Sequence, residues 1–221
     1  MKQIRNYVTP LHLNTTRNHL ARMVDNKTHC MKVARRYDFD YWDGDRRYGY
    51  GGYVYIPGYW KNVAEGLIRD YELKDGSKIL DIGCGKAFLL HELLLLIPGL
   101  NITGVDISSY AIQSATEMVA PFLSLHDAND RFNWPDKEFD LVISIAMLHN
   151  LEARGLETCL SEIARLGKSQ YVMTESYRSE EELFNLQCWA LTCESFFSPD
   201  EWRWIFEKSG YVGDYELIYF S

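Results

Sequence analysis

The chain has 221 residues and a formal net charge of −8, with 47% hydrophobic and 24% charged residues. This is globular composition, enough for one domain with a small appendage, and its acidic balance argues against a broad nucleic-acid-binding face. No apolar run approaches the roughly 20 residues a membrane-spanning helix needs. The N-terminal MKQIRNYVTP lacks the apolar stretch of a secretory signal. Cys30, Cys84, Cys159, Cys188 and Cys193 are odd in number and widely spaced, with no CxxC pair. Free thiols in a reducing cytoplasm are therefore expected, and no metal site.

In chain order, residues 14–37 read as two short helices broken near Asp25-Asn26-Lys27. The stretch DYWDGDRRYGYGGYVY, residues 40–55, holds five tyrosines, four glycines and two arginines; it is too glycine-rich for a helix and too charged for a core strand. Residues 60–71 pattern as one amphipathic helix. From about residue 76 short apolar runs alternate with helical patterns, which predicts a parallel sheet wrapped by helices. Strands are expected at 78–82, 101–105, 122–126, 139–145 and 169–174. Helices are expected at 86–97, 108–119 and 151–166, and from Ser198 to about Ser209-Gly210. Ser108 and Ser198 are candidate N-caps and Pro199 sits at the first helical position. Glu180 to Glu182 open a solvated helix, and residues 211–220 form one last strand or a hairpin. Cys188 and Cys193 read as core residues, and Trp202 and Trp204 as amphipathic packing.

The chemistry concentrates in Asp81-Ile-Gly-Cys-Gly-Lys-Ala87, which follows an apolar strand and opens a helix. Gly83 and Gly85 permit a tight turn and close approach of a ligand to the backbone, and the helix beyond offers free N–H groups. A dinucleotide fingerprint would need a third glycine at position 88, which is Phe88. Asp81, at the end of the first strand, suits an ammonium group. Asp106 ends the second strand, where a carboxylate can accept from both hydroxyls of a ribose. Asp127 follows the third strand, in reach of an adenine amino group. An amino-acid head, a ribose and an adenine together describe S-adenosylmethionine.

ILDIGCGKAFLLHEL, TGVDIS, HDAND and FDLVISIAMLHNL resemble, in order and spacing, the class I S-adenosylmethionine-dependent methyltransferases across residues 60–175. The resemblance implies a Rossmann-like α/β fold: seven strands, mostly parallel with one antiparallel, and helices on both faces. That domain would span residues 61–221, behind an N-terminal helical and lid extension over residues 1–60. Two departures stand out: Ala87 replaces a frequent third glycine, and residues 211–221 are short for two strands. The family implies cofactor contacts at Asp81, Gly83, Cys84, Gly85, Asp106, Ile107, Asp127, Ala128 and Ser144, and no metal.

At the strand ends, His149 and Glu175 are the candidate catalytic residues, His149 for its near-neutral titration. The tyrosine-rich stretch lies where it can fold over the cofactor as a lid. Its Arg46, Arg47, Tyr48, Tyr50 and Tyr53 are the candidate acceptor contacts, since guanidinium forks grip phosphate or carboxylate. A small-molecule acceptor is expected, with no nucleic-acid or membrane partner; monomer and homodimer both stay open. TRNHLARM, the segment HCMKVARRYDFDYWDGDRRYGYGGY and the ending GYVGDYELIYF also resemble bacterial methyltransferases of surface-polysaccharide and specialised small-molecule pathways.

Overall fold

The computed structural model describes residues 3–221. Six strands form one sheet: β1 (Lys78–Ile82), β2 (Asn101–Asp106), β3 (Leu123–Leu125), β4 (Phe139–Ile145), β5 (Gly167–Glu175) and β6 (Asp214–Ile218). Their order is β3-β2-β1-β4-β5-β6, and every neighbouring pair is parallel. Side chains alternate across each strand, so both faces are buried. In β4, Leu141 and Ile143 join one core cluster while Val142 joins the other.

One face is covered by α5 (Lys61–Asp70) and α6 (Phe88–Leu96), the other by α8 (Ala153–Leu166) and α10 (Pro199–Lys208). α6 is apolar nearly all round and buried from Phe88 to Leu94, as a helix between sheet and extension must be. It starts after Ala87 at φ 57°, the left-handed backbone that explains why a glycine is common there. α10 carries the expected cap: Ser198 accepts from Glu201 N and the Glu201 carboxylate accepts from Ser198 N.

Three expectations change. The sheet has six parallel strands among the described residues, not seven with one antiparallel. After α10 the described residues form one strand, β6, reached through the turn at Ser209–Gly213. The outer edge of β6 is covered by the extension, with Arg5 N donating to Tyr215 O at 2.9 Å and Tyr215 N to Gln3 O at 3.1 Å. The helix expected over 108–119 is shorter, α7 (Ser109–Gln113), closed by the Ser114 N–H bonding back to the carbonyls of Tyr110 and Ala111. Beyond it the Thr116 hydroxyl meets His91 Nδ1 at 2.6 Å. Trp202 is fully buried as packing requires, but Trp204 is 63% exposed.

The extension holds α1 (Thr9–Leu13), α2 (His19–Val24), α3 (Lys27–Ala34) and α4 (Phe39–Trp42). The break between α2 and α3 falls at Asn26, φ 42°. The helix begun by Glu180 is α9 (Glu180–Trp189), which lies against α2. The buried Glu216 carboxylate fastens the extension, accepting from the backbone N of Tyr7 (2.8 Å), Val8 (3.0 Å) and Thr9 (2.5 Å), from Thr9 Oγ1 and from the Tyr171 hydroxyl. No helix among the described residues is long and apolar enough to cross a membrane.

Candidate active site

Two cavities open at the carboxyl ends of the strands, where α/β sheets bind ligands. The first, about 230 Å³, is walled by Asp81 to Gly85 after β1, Asp106 and Ile107 after β2, His126 to Asn129 after β3, and Ile145 to Met147 after β4. Its roof comes from the extension: Trp42, Tyr50 and Tyr53. The second, about 410 Å³, shares Tyr41, Tyr50, Tyr53, Trp60, Phe88, Ile145 and Ala146 with the first.

The glycine loop is shaped for close approach. Gly83 has φ 79°, and an added Cβ would lie 2.3 Å from Met147 Cγ; at Gly85, φ 56°, it would lie 2.8 Å from the Trp42 ring. Asp106 Oδ2 accepts from Gly85 N at 2.7 Å and Oδ1 from Ser108 N at 2.8 Å. Asp81 is 5% exposed and no lysine or arginine pairs with it among the described residues. Burial, helped by the Asp106 charge, pushes its carboxyl up to about 8. Burial also raises Asp106, against the pull of its backbone hydrogen bonds. A buried and a half-buried acid without a cation, beside glycines that a side chain would block, fit a ligand with an ammonium and hydroxyls. These residues fit S-adenosylmethionine on that ground.

Of the other residues expected at the cofactor, Cys84, Ile107 and Ala128 line the first cavity. Burial holds the Cys84 thiol well above its ordinary range, which makes it an inert filler. Asp127 lines the cavity too, but its carboxylate accepts from Asn129 N (2.9 Å) and Nδ2 (2.7 Å) and so closes its own loop. Ser144 lines neither cavity; it is fully buried and its hydroxyl donates to Ile82 O at 2.9 Å, joining β4 to β1.

His149 and Glu175 come together in the second cavity, His149 Nε2 standing 3.6 Å from Glu175 Oε2. His149 Nδ1 is buried without a hydrogen-bond partner. The tyrosine-rich stretch is docked over both cavities. Trp42 Nε1 donates to Ser108 Oγ at 2.9 Å, and Asp43 accepts from Lys86 Nζ at 2.8 and 2.6 Å and from the Tyr110 hydroxyl at 2.7 Å. Tyr50 and Tyr53 line both cavities, and burial keeps both phenols protonated.

Arg46 lines the second cavity, whereas Arg47 turns away to pair with Asp25 at 2.6 Å and the Tyr48 hydroxyl turns toward His29. Sequence reasoning missed Arg17, Arg22 and Trp189, which meet Arg46 there. Nothing in their local pattern marks them, because they converge from a loop, α2 and the end of α9.

A family described as "Methyltransferase domain" matches residues 73–210. A sterol 24-C-methyltransferase of Gibberella zeae is 30% identical over 128 residues, 52% of this chain and 32% of its own length. The 2-methyl-6-phytyl-1,4-hydroquinone methyltransferase of Synechocystis is 30% identical over 131 residues, 51% of this chain and 41% of its own. The chain thus spans about a third to two-fifths of these curated relatives. In structure, a Haloferax volcanii methyltransferase solved with the Trm112 methyltransferase activator aligns over 89% of this chain and 77% of its own, with TM-score 0.53 and 19% identity, a likeness of fold. With the glycine cradle and its acids in place, the matched residues settle the family: the chain belongs to the class I S-adenosylmethionine-dependent methyltransferases.

Proposed function

We propose that this methyltransferase acts on a small polar, anionic acceptor seated in the second cavity and methylates an oxygen. A sugar, a nucleotide-activated sugar or a phosphoryl group is the favoured class, in small-molecule or surface-polysaccharide synthesis. The observation that carries the reading is the wall shared by the two cavities, with His149 and Glu175 on the acceptor side of it. Bound S-adenosylmethionine supplies an electrophilic methyl group.

The chain's own residues have three tasks. Asp81 would hold the ammonium end of the cofactor and Asp106 its ribose hydroxyls, with Ile107 and Ala128 beside the adenine. Trp42 roofs the first cavity and Tyr50 and Tyr53 roof both; together they exclude water and fix the approach of the acceptor, which is most of what a direct transfer asks of a protein. His149 would take the proton of the acceptor hydroxyl at one ring nitrogen, with Glu175 stabilising the imidazolium that results.

A neutral or anionic oxygen acceptor is favoured over an amine, because Arg17, Arg22 and Arg46 repel a cation. A sterol or quinol nucleus, as in the names of the relatives, offers these cations nothing. Product release should be followed with sugar phosphates, nucleotide sugars, amino sugars and simple amines. The reading expects S-adenosylhomocysteine with hydroxyl-bearing anionic acceptors. Turnover with amines alone would replace it with nitrogen methylation. Calorimetry that finds no S-adenosylhomocysteine binding would leave neither reading standing.

A further inference from the structure

Three guanidinium groups gather around one indole in the second cavity. Arg22 Cζ lies 4.6 Å from the Trp189 ring centroid, Arg46 5.1 Å and Arg17 5.4 Å. None of the three pairs with a carboxylate within 4.0 Å among the described residues, although the chain is acidic overall and most of its other arginines do pair. Their partners are neutral instead. Arg22 donates to Arg46 O at 3.0 Å and Gly49 O at 3.4 Å, and Arg46 donates to Gly49 O. Arg17 donates to the carbonyls of His12 and Thr15, both at 3.1 Å.

Arg17 also meets His12 Nδ1 at 3.1 Å, while His12 Nε2 faces Tyr219 O at 2.8 Å. The ring must therefore be neutral, Nε2 donating and Nδ1 accepting. Burial first, and the Arg17 charge second, depress His12 to about 4, so it stays neutral at working pH. The Nε atoms of Arg17 and Arg22 are buried without a partner. Burial lowers all three arginines, Arg22 to about 10. Glu175 and Asp25 act on Arg17 and Arg22 only at longer range, so three like charges crowd a half-buried pocket that an anion in contact would complete.

Resting on the methyl-transfer reading above, we infer that Arg17, Arg22 and Arg46, stacked about Trp189, form a clamp for the oxyanion of the acceptor, a phosphate monoester or a carboxylate, and that this anion is the anchor rather than the methylated oxygen. Three guanidiniums withdraw electron density from a bound oxyanion and make it a poor nucleophile. His149 and Glu175, on the wall of the same cavity, serve a hydroxyl instead. The acceptor accordingly carries two groups: an anion for the clamp and a hydroxyl for transfer. Within the proposed class this favours a sugar phosphate or sugar acid over a bare phosphoryl group.

The test is binding of inorganic phosphate and of acetate to the S-adenosylhomocysteine-loaded protein, read by thermal shift and calorimetry. Saturable binding of one or both anions is expected in the wild type. The Arg17→Gln/Arg22→Gln variant should weaken it by about 10- to 100-fold, the loss expected for charge-assisted hydrogen bonds. Arg47→Gln, whose guanidinium is tied to Asp25, should bind normally. Phosphate binding without acetate binding marks a phosphate monoester, and the reverse a carboxylate. Arg17→Lys/Arg22→Lys, which keeps charge without the fork, should fall between. Absence of saturable binding of both anions, or unchanged binding in the Gln variant, overturns the clamp. S-adenosylhomocysteine affinity is measured alongside: its retention in each variant reports an intact fold, and its absence in the wild type would instead sink the methyl-transfer reading.

Discussion

Asp43 ties the tyrosine-rich stretch to the glycine loop, and its replacement by Asn tests whether that stretch is a docked roof. Asp43 accepts both contacts of Lys86 Nζ, the Tyr110 hydroxyl and Tyr53 N at 3.0 Å. Lys86 immediately follows Gly85 and is only 4% exposed, while Asp43 is 22% exposed. Asp43→Asn leaves the ammonium of Lys86 buried and unpaired. Breaking a fully buried pair costs about 3–5 kcal/mol, and the partial exposure of Asp43 reduces this to roughly 2–3 kcal/mol. For a chain of this length that is a fall in Tm of roughly 4–12 °C.

Thermal and urea unfolding measure the loss, and calorimetry with S-adenosylhomocysteine should show weaker binding because the roof loosens. Asp43→Leu/Lys86→Met removes both charges and should recover most of the stability, since an apolar replacement of a buried pair is often neutral. Burial would raise the Asp43 carboxyl, but the hydrogen bonds from Lys86 and Tyr110 outweigh it and hold the group below its usual range. Its contribution is therefore complete above the unfolded carboxylate value of about 3.9 and is lost as pH falls through the lower folded value. A loss below ~0.5 kcal/mol, or a double variant no more stable than Asp43→Asn, would refute the latch.

The remaining predictions concern the cavities. Because Asp81 sits near 8 when the cavity holds no cation, binding an ammonium there should release about one proton at pH 7, measurable by calorimetry in buffers of different ionisation heat. The same raised value means the unliganded fold loses stability as pH climbs from about 4 to 8, so Asp81→Asn should raise Tm at pH 8 while abolishing proton release. Gly83→Ala must take φ 79° and displace Met147, and a Tm fall with at least about 10-fold weaker S-adenosylhomocysteine binding is expected from the strain of 1–2 kcal/mol and the clash. His149→Gln should cut turnover by about 10²–10⁴-fold without changing cofactor affinity; full turnover would remove it as the base.

Much of this protein was legible from local order. Lys78 to Ile82 and Phe139 to Ile145 are strands because short, largely apolar runs suit burial on both faces, and both match the observed bounds. Ser108 and Ser198 cap helices because their hydroxyls meet the free N–H groups of the first turn. The glycine loop, Asp81 and Asp106 lie within one β-turn-α unit and the next strand, so chain connectivity brings them together. Those features depend on neighbours in sequence, which is why the local motifs and the family resemblance they carry pointed to the cofactor.

The second cavity was decided by tertiary structure alone. Arg46 and Arg47 are adjacent and chemically identical, yet one faces the cavity and the other pairs with Asp25 because successive side chains leave a 3₁₀ turn in different directions. Arg17, Arg22 and Trp189 meet only because α9 packs against α2 across more than 160 residues of chain. The final strand was placed by long-range pairing: β6 runs parallel to β5, and Gln3 and Arg5 close its edge. Local sequence thus determined where the glycine loop and its two acids lie, because they follow one another along a single β-α-β path. Long-range packing determined what faces it, because side chains from distant segments acquire a common direction only once the sheet, the extension and α9 are assembled.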